Sequence, residues 1–286
     1  MADISAAAVA QLRKMSGQGM MDCKKALGET GGDLDKAMDL LRKKGLATLA
    51  KRAERATTEG RVVSKISSDR KTAVITSLCS ETDFVAKSDD FVAAAEMLAD
   101  CGFKAAADSG AETLLDTEIN GKKFSQHLTD VVSKTGEKLE VGHFTRYTLA
   151  GTGVFGSYVH FNGKVGAMLE VEASSDAVAK AIQQTANEIA MHVTAINPLG
   201  LDKSSIDPAV LEKERSIAAE QAKNKPAAII DKIIEGKIGK FLAENCLVEQ
   251  PFVKDDTQTV GQALDKMAKS AGGQAKIKRF VRVEIG

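Results

Sequence analysis

Two stretches of this chain, about 96 residues apart as judged from Gly60 and Gly156, run through the same succession of strand, turn, strand and helix. In the first, RVVSKIS alternates as a strand, SSDRK has turn composition and TAVITSLC is a second, more apolar strand. A short polar connection follows, and Asp89-Asp90 open the helix FVAAAEMLADC with acids at its positive end. In the second, SYVHF is a strand, Asn162-Gly163 a turn and KVGAMLEVEA a strand, after which Ser174, Ser175 and Asp176 open AVAKAIQQTANEIAMHV. Asn-Gly between alternating segments is a strong hairpin signal. The pattern predicts an α+β fold built on an internal duplication, not a short-period solenoid.

The flanking segments read as helices. Residues 1–55 hold three short ones: Ser5 caps the first over 6–15, the second covers 20–28, and Asp33 caps a third that stops at Gly45. Between the copies lie a helix over 124–138, with Phe124, Leu128, Val131 and Val132 in an apolar row, and a strand, VGHFTRYTLAG. After the second copy, Asp207-Pro208 and Pro226 start two helices joined by almost no linker, which predicts an antiparallel hairpin. Val210, Leu211 and Ile217 are expected to face Ile230, Ile233 and Ile234 across it. The chain closes with the helix TVGQALDKMAKSA and the strand AKIKRFVRVEI.

Composition narrows the chemistry. Lys+Arg and Asp+Glu both number 39 in 286 residues, so the chain as a whole lacks the basic excess that displaces counterions from nucleic acid. The basic run Lys43, Lys44, Lys51, Arg52 and Arg55 has no aromatics interleaved for base stacking and reads as a solvated linker. No basic leader opens the chain, and no run approaches the roughly 20 apolar residues of a membrane span, which predicts a cytoplasmic protein. Cys23, Cys79, Cys101 and Cys246 lack CxxC spacing and read as reduced, buried thiols. His127, His143, His160 and His192 form no ligand pattern, and no metal or cofactor site is assigned. Gly151, Gly153 and Gly156 match GxGxxG, but a dinucleotide fingerprint opens a helix and this one opens a strand. With no P-loop, nucleophile elbow or His/Cys pair, the expectation is that the chain is not an enzyme.

Two places carry apolar side chains that local structure does not require. Glu170-Val-Glu172 passes to its helix through Ala173-Ser174-Ser175, whereas the equivalent passage of the first copy carries Thr82-Asp83-Phe84-Val85-Ala86-Lys87. Phe84 is either a hydrophobic staple under its own helix or an anchor for a partner. Met20 and Met21 begin a helix whose inner face is Cys23, Ala26 and Leu27; at most one methionine fits that face, and the pair is either one core residue and one exposed, or a contact surface.

The stretches GMMDCKKAL, TDFVAKSDDF, AMHV and QPFVKDDTQTVGQALDK give the chain a resemblance to the bacterial elongation factor Ts family, guanine-nucleotide exchange factors of elongation factor Tu. The resemblance covers nearly the whole chain. It implies a ubiquitin-associated-like three-helix module with linker over 1–55, a first core subdomain over 56–140, a second over 141–204 completed by 248–286, and a protruding helical hairpin over 205–247. It also implies that Thr82, Asp83 and Phe84, with Val85 beside them, push into the GTPase domain of Tu near its magnesium site. Arg13, Met20, Met21 and Lys24 would hold another helix of that domain. The implied partner is Tu in its nucleotide-free form, with no direct nucleic-acid or membrane contact and no cofactor. Two other classes compete: an RNA- or ribosome-binding translation protein, disfavoured by zero net charge, and a nucleotide-using enzyme at GTGVFG, disfavoured by the strand after Gly156.

Overall fold

The computed structural model of the protein describes residues 4–223 and 225–286; residues 1–3 and 224 lie outside the described residues. The chain opens with α1 (Ala6–Ser16), α2 (Met20–Glu29) and α3 (Leu34–Lys51). Ser5 caps α1 by accepting the Ala8 N–H at 3.1 Å, and Asp33 accepts the Lys36 N–H at 3.0 Å at the head of α3. Val9, Leu12, Cys23, Ala26, Leu27, Ala37 and Leu41 close a small core among the three helices.

The third helix corrects the sequence reading. It runs through Gly45 to Lys51. Gly45 is buried against α7 (Phe124–Thr135), and a Cβ there would collide with Ser133 Oγ and lie 3.1 Å from the Thr129 carbonyl oxygen. This glycine therefore permits close helix packing and ends nothing. The seam also carries Arg42–Asp130 at 3.5 Å and a Ser133 hydroxyl donating to the Leu41 carbonyl at 3.4 Å.

The first core unit follows as β1 (Glu59–Ile66), β2 (Thr72–Ser80), α4 (Asp83–Ala86), α5 (Asp89–Gly102), α6 (Ala111–Leu115), β3 (Glu118–Ile119), β4 (Lys122–Lys123), α7 and β5 (Leu139–Thr148). The second comprises β6 (Gly153–Val159), β7 (Val165–Ala173), α8 (Asp176–Ile196), α9 (Pro208–Ala222), α10 (Ala227–Asn245), β8 (Pro251–Phe252), β9 (Asp255–Thr259), α11 (Val260–Ser270) and β10 (Ala275–Glu284). One antiparallel sheet has the order β1-β2-β5 and the other β10-β7-β6. The sheets pack face to face through Val62, Ala73, Ile75, Tyr147, Phe155, Met168 and Val283. Helices α5 and α7 cover the far side of one, and α8 and α11 the far side of the other. This sandwiching explains why TAVITSLC is apolar along its length: Ala73, Ile75 and Cys79 face the other sheet while Val74 and Leu78 face the helices.

The duplication is larger than a hairpin and a helix. Each copy also contains a small hairpin, a further helix and a closing strand: β3–β4, α7 and β5 in one, β8–β9, α11 and β10 in the other. Both closing strands bulge at matching places. Ser77 pairs with His143 and Leu78 with Val141, leaving Gly142 extra; Glu170 pairs with Arg279 and Val171 with Ile277, leaving Lys278 extra. The copies differ by insertions: eight residues, 81–88, separate β2 from α5, against two, 174–175, between β7 and α8.

Packing in the helical hairpin also departs from expectation. Ala218, Ala222 and Ile238 are buried there and Ile217 is exposed, because small alanines let the two backbones approach while a large side chain fills the gap. The glycine motif at residues 151–156 leads into a strand, β6, which begins at Gly153; Gly156 lies so close to α8 that a Cβ would collide with the Ala186 carbonyl oxygen. The four cysteines are free and buried, and burial pushes the Cys101 thiol up to about 11.

Candidate functional site

The extra residues between β2 and α5 form a single helical turn, α4, where the sequence reading placed a loop. Thr82 is its N-cap, with extended backbone (φ −127°, ψ 156°) and a side-chain oxygen accepting the Val85 N–H at 3.4 Å. The Ala86 N–H reaches the Thr82 carbonyl at 3.2 Å and the Lys87 N–H the Asp83 carbonyl at 3.1 Å. Ser88 then caps α5, with its hydroxyl also donating to the Val85 carbonyl at 2.8 Å. Within the turn, Ala86 is buried and Val85 packs partly against the core beneath β2. Phe84 points the other way and is 83% exposed. The staple alternative is therefore excluded: the ring has no core of its own. Asp83 beside it pairs with Lys87 at 2.6 Å, and that hydrogen bond holds its carboxyl below the usual carboxylate range.

The base of the turn is held by two carboxylates. Glu137 lies just past the end of α7, where Gly136 takes the left-handed conformation (φ 70°) that reverses the chain. One Glu137 oxygen accepts the Thr82 hydroxyl at 2.7 Å and the other the Thr82 N–H at 3.1 Å. In the opposite direction, the Lys138 N–H donates to Glu81 at 2.7 Å. Glu81, its side chain only 11% exposed, also accepts from Arg52 at 2.8 Å and Arg55 at 2.9 Å. Burial opposes its charge, but the Lys138 amide and the two guanidinium groups outweigh it and hold the carboxyl at about 2. Arg52 and Arg55, read from the sequence as solvated linker residues, are thus tied to the base of α4.

The second predicted cluster is brought together on the N-terminal helices. Arg13 of α1 and Met20, Met21 and Lys24 of α2 line one groove of about 640 Å³ together with the apolar Ile4, Ala6, Val9 and Ala10, of which Val9 is buried. Met20 lies on the same helical row as Cys23 and Leu27 yet is 59% exposed, and Met21 is 74% exposed. Neither methionine enters the core, because at the first turn of α2 the inner row runs out over the groove. Arg13, Lys14 and Lys24 give that groove a basic rim.

A sequence model of the family described as Elongation factor TS matches residues 81–286, beginning at the base of α4. An Elongation factor Ts from a Nitratiruptor species is 44% identical over 285 residues, covering 99% of this chain and 93% of that protein. One from Clostridium botulinum (strain Eklund 17B / Type B) is 41% identical over 285 residues, 99% of this chain and 93% of the relative. A third, from Nitratidesulfovibrio vulgaris (strain DP4), is 39% identical over 288 residues, 99% and 96%. The chain belongs to the elongation factor Ts family.

It is thus a translation elongation factor. None of its described helices is long and apolar enough to cross a membrane. For an elongation factor Ts, the residues missed by sequence reasoning are those that hold α4. Glu137 is 55 positions from Thr82, and only the pairing of Ser80 with Leu139 brings them together. Phe161 was missed as well: it sits at the tip between β6 and β7, 92% exposed, with its ring centroid 4.3 Å from that of His160. The sequence signal was present in HFNGK, an aromatic inside a turn. Buried His192 is structural, with Nε2 at 2.9 Å from Gln250 Oε1 and Nδ1 accepting the Val253 N–H at 3.2 Å.

Proposed function

We propose that the chain is a guanine-nucleotide exchange factor that binds elongation factor Tu, perturbs its magnesium and phosphate site and promotes GDP release during translation elongation. The observation that carries this reading is Phe84: a large ring, 83% exposed, on a helical turn whose base is held by hydrogen bonds that Thr82 donates to Glu137. An exposed aromatic on a mobile loop loses ordering entropy on docking; one on a preorganised turn loses little. Thr82, Asp83, Phe84 and Val85 form the element that enters the GTPase domain of Tu, with Phe84 as the wedge and Val85 securing it from below. The groove at Arg13, Met20, Met21 and Lys24 takes a second helix of that domain, its apolar floor and basic rim suiting an amphipathic helix with an acidic edge.

GTPases of this kind hold the nucleotide phosphates through backbone amides and a Mg²⁺ ion. A wedge that shifts the adjoining helices loosens both without touching the guanine. Coupling between two ligands is reciprocal, so a factor that weakens GDP must itself bind best to nucleotide-free Tu. The chain performs no covalent chemistry, needs no cofactor in this role and works in the cytoplasm. Release of a fluorescent GDP from Tu, followed with and without the chain, tests the proposal. Substoichiometric chain should accelerate release; an unchanged rate at saturating chain would refute it.

A further inference from the structure

We infer that Glu137 is the positioning residue of the Phe84 wedge. The inference rests on the exchange-factor reading above. Strands β2 and β5 stop pairing at Ser80 and Leu139. Beyond that point the two segments exchange side-chain bonds in place of the ladder: Glu137 takes the Thr82 N–H and hydroxyl, and Glu81 takes the Lys138 N–H. The Thr82 hydroxyl thereby has its proton directed at Glu137 and a lone pair directed at the Val85 N–H. That orientation fixes the first turn of α4, and with it the direction of Phe84.

The same helix bears on the other docking element. Helix α7 packs on α3 at Gly45 and Ser133, and Lys134 pairs with Asp90 at the head of α5 at 2.7 Å. A continuous path of packed helix therefore runs from the three-helix module through α7 to Glu137, Thr82 and Phe84.

Glu137→Gln keeps the shape but not the bonding. A carboxylate accepts both Thr82 donors, whereas a carboxamide accepts one and confronts the other with an N–H. The experiment uses the full chain and measures GDP release from Tu over a range of factor concentrations, amide hydrogen exchange at Thr82 and Val85, and thermal unfolding. The expected result for Glu137→Gln is a maximal release rate lowered roughly tenfold to hundredfold, as loss of charge-assisted hydrogen bonds converts at about 1.4 kcal/mol per decade. The half-saturating concentration should change by less than about threefold, because the groove is untouched, and the Val85 amide should lose protection. Thr82→Val, which removes the hydroxyl from the other side, should give the same split. A Glu137→Gln Phe84→Ala double variant should be no slower than Phe84→Ala alone, since the two act as one unit.

A normal maximal rate for Glu137→Gln beside a defective Phe84→Ala would overturn the positioning role while leaving the wedge intact. Full additivity in the double variant would overturn it too, as would a loss confined to the half-saturating concentration. Normal release by Phe84→Ala itself would overturn the wedge reading, and this inference with it.

Discussion

Phe84→Ala separates a side chain that serves its own fold from one that serves a partner. The ring is 83% exposed and rests on no core cluster, so its removal should change stability by no more than about 0.5 kcal/mol. For a chain of this length that is a melting shift within about 2 °C. On the proposed exchange role, the functional cost is set by what the ring would meet in Tu. Burying an aromatic of this size is worth roughly 1.5–3 kcal/mol by area, and loss of an interfacial hot spot costs about 2–4 kcal/mol. If that energy sustains the displaced nucleotide site, stimulated GDP release should slow by roughly 30- to 1000-fold, at about 1.4 kcal/mol per decade. The assay pairs thermal unfolding of the variant with stopped-flow release of fluorescent GDP at saturating factor. Asp83→Ala should have a smaller effect, since Asp83 pairs within the turn with Lys87. Full stimulation by a folded Phe84→Ala protein would refute the wedge, and a drop of many degrees with normal stimulation would show that the ring supports the fold.

Four further outcomes follow from particular contacts. Met20→Ala Met21→Ala, at the groove, should raise the half-saturating concentration for Tu by roughly tenfold or more with little change in the maximal rate, checked in the same titration. Gly45→Val should destabilise the α3–α7 seam by about 1–3 kcal/mol, read by denaturant unfolding, because its Cβ would collide with Ser133. Gly239→Ala, where a Cβ meets no atom within 4 Å, should stabilise α10 by about 0.4–1 kcal/mol in the same measurement. The Glu81 carboxyl is held at about 2, below its ordinary 4.5, so its contribution is complete above the ordinary value and is lost as pH falls toward 2; Glu81→Gln should flatten stability in that acid window, measured by unfolding across pH.

Much of the architecture could be read along the chain because it depends on residues a few positions apart. Ser5, Ser175 and Asp207 cap helices that begin where the sequence placed them, and the alternation of SYVHF and KVGAMLEVEA marks paired strands. The resemblance carried by TDFVAKSDDF and its companions led to the family that the relatives confirm. What stayed hidden depends on partners distant in the chain. Gly45 breaks a helix by local propensity, yet α7 packs against it and the helix continues. The matching closing strands and their bulges at Gly142 and Lys278 became visible only through pairing with β2 and β7.

Residue identities alone placed an aromatic after Thr82 and Asp83 and two methionines after Gly19, and left open whether each faced in or out. The tertiary structure decided those directions. Val85 and Ala86 compete with Phe84 for the space beneath α4 and occupy it, so the larger ring is left to solvent. The same structure brought Glu137 across 55 positions to hold the turn in that orientation. Sequence periodicity reports which side chains share a face; only packing decides which face is covered, because coverage is supplied by elements from elsewhere in the chain.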